Sequence, residues 1–407
     1  MSGAKSTALL DCARRAIYTR PMEAERRHPQ VQRAIARLDW LDGMKGISIL
    51  WIVFFHAFNF LGGRDGRFPS PLSQGYAAKF WAECAPASAM GEVRCGVEAF
   101  AAGVPQLGFH AVAVFIVLSG FGLTYSLART GGPPNGWIRW YHSRLLRLFP
   151  MYWLAHLVYL VLPFQARYEA IDYRFALSFL GDRVWPVDMI FYYFNPALWY
   201  FGLLLQLYLV FPILFWLLQK AGIGGFLLFS AIATFGCRYV FLCVWPVDGN
   251  YVQGAFFLCR LWEFALGMTV GLVYRKDAER VDRWLFSSAT LAAAVALYTL
   301  GLYSYDELWS YSFTDGLIGT GLSVILAHVA RACELLPRLG SLLATVGVYS
   351  YGLYLLHQPF VLYFAERMRH ESTPRFVAST CALIVILAIA SMAIEREVNR
   401  LTQRALG

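Results

Sequence analysis

Long apolar stretches separated by short polar loops recur from about residue 41 almost to the C-terminus. Each approaches the ~20 residues that an α-helix needs to cross a hydrocarbon core of about 30 Å. The pattern predicts spans starting near Met44, Gln106, Pro150, Pro196, Gly222, Gly254, Trp284, Ser312, Leu343 and Arg375. The expected fold is therefore all-α, a polytopic integral membrane protein of about ten transmembrane helices. The third span is short, and a weaker run near Phe175–Leu180 reads as a re-entrant or interfacial piece. The expected organisation is a basic cytoplasmic arm over residues 1–40, a membrane domain over 41–398 and a cytoplasmic tail over 399–407.

Composition agrees with this pattern. Of 407 residues, 58% are hydrophobic and only 15% are charged, a combination rare in soluble domains. The net charge of +9 is mostly a topology signal. With the predicted spans, one side carries 22 Lys and Arg and the other 10, which orients both termini to the cytoplasm of a plasma (inner) membrane. No basic stripe lies on a soluble domain, so nucleic-acid binding is not expected. The segment up to about Asp39 lacks an apolar core beside a small-residue cleavage site, so it does not read as a signal peptide. Arg33, Arg37 and Lys45 suit contact with anionic lipid at the membrane surface. Cys84 and Cys95 share a long outward loop where a disulfide is permitted, while Cys237, Cys243 and Cys259 approach the same side and offer another pairing. No Cys/His spacing suggests a metal.

Several polar residues interrupt the apolar spans. Lys45 and His56 are eleven residues apart on the first, which returns them to one helical face with a rise of about 16 Å. An imidazole near the bilayer centre is costly, about 2.5–3.5 kcal/mol for an ionised group, and so reads as functional rather than as a structural bond to a neighbouring helix. Ser119, before Gly120 and Phe121, suits helix packing or a bond across an interface. His110, near the outer end of the same span, faces either a wet cleft or the headgroup zone. Arg144 and Arg147 share a face at i, i+3, and their forked donors match a phosphate or pyrophosphate. Arg260 and Glu263, also i, i+3, can neutralise one another inside the membrane. Tyr354 and His357 lie three residues apart on the ninth span, where they could line a cleft.

Together these strings resemble the acyltransferase-3 family, membrane-bound enzymes that O-acylate cell-surface and other carbohydrates. The resemblance covers Leu41 to Pro359. Lys45 and His56, with Asp42, Gly43 and Gly46 around them, match the family's basic residue, ten intervening residues and histidine. Ser119-Gly120-Phe121 is similar to its SGF element, and Arg144 and Arg147 to its Arg-x-x-Arg pair. Leu198, Trp199, Gln206 and Tyr208 match its helix-four pattern in part. Arg260, Glu263, Phe264 and Gly267 resemble its R-x-x-E-F-x-x-G segment, and the string Ser350 to His357 its SYxxYLxH segment. Many relatives carry acidic residues where this chain has Leu204 and Leu205. The chain also ends soon after the last predicted span, so no C-terminal hydrolase-like domain is expected.

The resemblance implies a cytoplasmic acyl-CoA donor, usually acetyl-CoA, and a carbohydrate or lipid-linked glycan acceptor. On this reading Lys45, Arg144 and Arg147 hold the CoA phosphates. His56 acts either as general base on the acceptor hydroxyl or as a transient acyl carrier. Ser119, His110, Glu263, Arg260, Tyr354 and His357 are weaker candidates for substrate contacts. The rival reading is a polytopic transporter or exporter, which would also explain intramembrane His, Arg and Glu. Against it, no repeat relates the two halves of the chain.

Overall fold

A computed structural model describes residues 39–65, 103–162, 171–368 and 370–406. The N-terminal arm and the Cys84 and Cys95 pair lie outside the described residues. Among the described residues the chain is helical and contains no strand. Its α-helices are α1 (Asp39–Asp65), α2 (Ala111–Leu127), α3 (Gly136–Val161), α4 (Tyr173–Phe179), α5 (Val187–Ile190), α6 (Trp199–Tyr239), α7 (Leu261–Lys276), α8 (Ala278–Leu285), α9 (Ser288–Tyr303), α10 (Leu308–Cys333), α11 (Pro337–Val348), α12 (Ser350–Met368) and α13 (Thr373–Leu406).

Among the described residues, six helices are long and apolar enough to cross a membrane, or up to eight if each of two bent pairs counts as one span. The expected count of about ten is not reached by this measure, for two local reasons. First, the segments predicted at Pro196 and Gly222 join in one run of 49 residues, Pro196–Val244. A straight helix of that length would extend about 73 Å, more than twice the bilayer core. The run is not straight: Gly222 breaks it at φ 69°, ψ 178°, in the left-handed region that only glycine enters freely. Second, the span predicted at Pro150 begins earlier, at Gly136, and its first half carries Arg139, Arg144 and Arg147. Those charges keep α3 below the apolar threshold and place both phosphate-type arginines inside the helix rather than ahead of it.

The two bent pairs are α8–α9, turned by 61°, and α11–α12, turned by 79°. The second bend shapes the interior. α11 crosses the start of α1 so closely that a Cβ on Gly46 would meet Leu343 O at 2.0 Å, and one on Gly347 would meet Asp42 O at 1.8 Å. α12 then swings away and runs beside the middle of α1. A second tight crossing joins α2 to α7, where a Cβ on Gly120 would lie 2.1 Å from Phe264 O and one on Gly267 1.9 Å from Val117 O. Small residues at such crossings let backbones approach and set the register of what flanks them. Here they hold Gly120 on α2 against Phe264 on α7, beside Ser119, whose hydroxyl lies 3.4 Å from that of Tyr200.

The described residues from 171 to 198, ahead of α6, are pinned by side-chain bonds. Arg183, 1% exposed, donates through Nη1 to Ile190 O at 3.0 Å and Tyr193 O at 2.7 Å. It also bonds Ser178 Oγ, to which His156 lies at 2.9 Å. Asn195 accepts from the N–H of Ala197 at 3.0 Å, a side-chain cap for the turn Pro196–Leu198 that leads into α6. Its Nδ2 donates to Leu355 O at 3.2 Å, tying this segment to α12. Cys237 and Cys259 face one another with Sγ atoms 3.7 Å apart, both as free thiols.

Candidate active site

Two cavities meet inside the bundle at Tyr354, which lines both. The larger, about 440 Å³, contains Lys45 from α1, Ser119 from α2, Arg144 and Arg147 from α3, and Glu395 and Asn399 from α13. Lys45 is a half-buried cation one turn beyond Asp42, to which its Nζ bonds at 2.7 Å. Both Asp39 and Asp42 sit in the first turn of α1, where carboxylates complement the helix dipole. Arg144 lies with its guanidinium 5.6 Å from the centre of the Trp140 ring, one turn earlier on α3. Its Nε is buried and has no hydrogen-bond partner. Arg147 is exposed, and no ion pair engages either arginine among the described residues. Glu395 is occupied in part by the N–H of Gly352, at 2.7 Å.

The smaller cavity, about 280 Å³, contains His56. Gln358 on α12 brings its amide nitrogen to 3.4 Å from His56 Nδ1. His357, fully buried, holds its ring 5.1 Å from that of His56, the two planes tilted by 41°. The Nδ1–H of His357 is held by Tyr354 O at 2.8 Å and Leu353 O at 3.1 Å, so its Nε2 bears the lone pair. That nitrogen is buried without a partner. On the far side of the cavity His110 lies between two phenols, Tyr298 at 3.0 Å from Nδ1 and Tyr305 at 3.1 Å from Nε2.

A buried charge network forms the remaining wall. Asp315, two turns into α10, takes Arg238 at 2.7 Å and Arg260 at 3.2 Å on the same Oδ2. Arg260 also pairs with Glu263 at 2.8 Å. Arg238 is fully buried and donates further to Ser312 O, Tyr311 O and Val252 O at 2.8, 2.9 and 3.1 Å. Isolated buried charges are strongly unfavourable; pairing and carbonyl bonds make this set tolerable. Gln206 fastens the turn ahead of Arg260, donating to Ala255 O at 3.1 Å and accepting from Phe257 N–H at 3.3 Å.

The candidates read from sequence therefore divide between two chambers. Lys45, Arg144, Arg147 and Ser119 line the larger, and His56, His110 and Arg260 line the smaller, with Tyr354 in both. Glu263 and His357 line neither; they stand behind Arg260 and His56 respectively. The aligned face of α1 thus connects the chambers, with Lys45 in one and His56 in the other. Sequence reasoning missed Arg238, Asp315, Gln253, Tyr192, Tyr305 and Gln358. Arg238 and Asp315 carried a usable signal, as ionisable residues within apolar stretches that call for partners.

The acyltransferase-domain model of the acyltransferase-3 family aligns with residues 38–395. The chain belongs to that family. Among curated relatives, a putative membrane-bound transacylase, BcsY of Komagataeibacter xylinus, is 28% identical over 313 residues, covering 72% of this chain and 76% of the relative. The acyltransferase MdmB of Streptomyces mycarofaciens is 23% identical over 345 residues, covering 75% of this chain and 83% of the relative. No solved structure matches the chain. In this acyltransferase the two leucines before Gln206 have different roles: Leu204 lines the basic cavity, and Leu205 packs toward Gly181.

Proposed function

We propose that this membrane acyltransferase moves an acyl group, acetyl in the simplest case, from a cytoplasmic acyl-CoA to a hydroxyl of a carbohydrate or glycolipid acceptor entering from the opposite side. The observation that carries the reading is the meeting of a cationic cavity and a histidine cavity at one tyrosine. Lys45, Arg144 and Arg147 offer two forked donors and an ammonium to the phosphates of a nucleotide-type donor. The unpartnered Nε of Arg144 supports this, because a buried cationic donor left open is costly unless a ligand completes it. A thioester arm extending from that cavity would reach His56 by passing Tyr354.

His56 then removes the proton of the acceptor hydroxyl as its oxygen attacks the thioester carbonyl. The new C–O bond forms, the C–S bond breaks, and the proton passes from the imidazole to the departing thiolate, giving free CoA thiol. Gln358 can meet Nδ1 of His56 with its amide oxygen. That arrangement partners an oxygen that otherwise has none, and it leaves Nε2 as the basic nitrogen. The excess of Lys and Arg on one side supports a plasma (inner) membrane orientation with both termini cytoplasmic, which puts Lys45, Arg144 and Arg147 on the donor side.

The test is transfer of label from radiolabelled acetyl-CoA by purified protein in lipid to a crude extract of polysaccharide and lipid-linked glycan. Label that enters the glycan fraction and is released by mild base, as an ester is, supports the reading. A protein that does not bind acetyl-CoA contradicts it.

A further inference from the structure

We propose that the wall of the histidine cavity formed by Asp315, Arg260, Tyr305, Tyr311, Gln253 and Tyr192 is the acceptor subsite, and that it selects an uncharged, hydroxyl-bearing ring over an anionic one. This rests on the acyltransferase reading and adds to it the residues that hold the acceptor and the charge class they accept. The first argument is charge. Two guanidiniums, Arg238 and Arg260, face two carboxylates, Glu263 and Asp315, so the network is neutral. Its cations are spent inward: Arg238 is 0% exposed and the Arg260 side chain 6%, whereas that of Asp315 is 17% exposed. The charged group that the cavity meets most fully is thus a carboxylate. Both arginines lie on its Oδ2, which leaves Oδ1 to accept a hydrogen bond.

The second argument is the mixture of donors and acceptors. Tyr192 donates its hydroxyl to Gln253 Oε1 at 2.5 Å, which leaves the Gln253 amide N–H groups as donors at the mouth. Tyr192 is 41% exposed and marks where the cavity reaches the surface. Tyr305 and Tyr311 add hydroxyls, and Trp199 and Phe109 add aromatic faces. A sugar ring needs both acceptors and donors for its hydroxyls and apolar faces for its C–H edges. The volume of about 280 Å³ lies near the lower end of ligand pockets, roughly 300–1,000 Å³, and so suits one ring at a time. A carboxylate or phosphate on that ring would face Asp315, while among the described residues the arginine lining the cavity, Arg260, is already paired with Glu263 and Asp315, which disfavours an anion by repulsion.

The experiment is saturation-transfer NMR on the full chain in lipid nanodiscs, with methyl β-D-glucopyranoside and its 6-carboxylate, the methyl glucuronide, as probes. Acetyl-CoA binding is measured in parallel. The expected result is a glucoside signal at least fivefold above that of the uronate, and its loss in Gln253→Ala while acetyl-CoA binding is unchanged. In Asp315→Asn the network gains a net positive charge, and preference should shift toward the uronate. Gln253→Ala lies at the mouth and keeps the test valid if Asp315→Asn does not fold. No glucoside signal, a uronate signal equal to or above it in the unsubstituted protein, or an unchanged signal in Gln253→Ala overturns the proposal. Failure of acetyl-CoA binding with glucoside binding intact would strike the donor assignment and leave this one standing.

Discussion

Tyr354, which lines both cavities, and Tyr200, which lines the larger, stand edge to face with ring centroids 5.4 Å apart. Tyr354 is anchored by its hydroxyl to Ala197 O at 2.6 Å, and Tyr200 reaches Ser119 Oγ at 3.4 Å. The pair joins α12, α6 and α2, and on the proposed reading a group passing from the arginines to His56 passes Tyr354.

Replacing Tyr354 by alanine should widen that passage. Initial rates with acetyl-, butyryl- and octanoyl-CoA would show a relative gain for the longer donors. Loss of the buried ring should cost about 3–5 kcal/mol of stability, as for other large-to-alanine changes, so Tyr354→Phe is the control. The phenylalanine variant loses only the bond to Ala197, about 1 kcal/mol, and should keep the acetyl preference. Equal chain-length profiles in all three proteins would show that the constriction lies elsewhere.

Gln358 should act on rate rather than on donor binding. One hydrogen bond of about 1 kcal/mol that orients His56 corresponds to roughly a fivefold change in rate. Steady-state kinetics of Gln358→Ala should therefore show kcat down by about that factor with KM for acyl-CoA unchanged. Gln358→Glu, which still presents an oxygen to Nδ1–H, should recover most of the loss. A change confined to KM would place Gln358 in substrate binding instead.

Arg238 and Asp315 should be coupled. Removing one member of a buried pair typically costs about 3–5 kcal/mol, because the other is left uncompensated. Thermal unfolding in detergent should thus show Arg238→Met as strongly destabilised, and Arg238→Met/Asp315→Leu as more stable than Arg238→Met alone. Additive effects would mean that the 2.7 Å contact carries little energy.

The α2–α7 crossing should tolerate no added side chain at its centre. A Cβ on Gly120 would sit 2.1 Å from Phe264 O, so Gly120→Val must part the helices. A cost of about 1–3 kcal/mol or more is expected from overpacking. Gly122 is two residues further along the same helix, and its Cβ would meet nothing within 4 Å. Gly122→Ala should not lower the melting temperature, since its Cβ enters the open larger cavity and alanine in a helix interior is favoured over glycine by about 0.5–1 kcal/mol.

The parts of this molecule readable from sequence were those in which one local pattern does the work. The Lys45 and His56 alignment needs only helical periodicity, and Arg144 and Arg147 need only i, i+3 spacing. The Gly222 break was legible as the division between two predicted spans. Pairings between distant helices were not. Arg238 and Asp315 are 77 residues apart, and spacing says nothing about which elements meet. Gln358 and Tyr192 are uncharged, so neither raised an energetic flag. The 79° bend between α11 and α12 falls at Tyr349, in a stretch without proline, and Gln358 and His357 meet His56 on the helix that follows it.

The most direct test of the central claim separates donor binding from turnover in the purified protein in lipid. Three proteins are compared: the unsubstituted chain, His56→Ala, and Arg144→Ala/Arg147→Ala. The account predicts that His56→Ala binds acetyl-CoA with unchanged affinity but loses about 10²–10⁴-fold in transfer rate. It predicts that the double arginine variant weakens binding at least tenfold, since hydrogen bonds from charged groups contribute about 1.5–3 kcal/mol each. Transfer by His56→Ala at the rate of the unsubstituted chain, or donor affinity unchanged without both arginines, would contradict it.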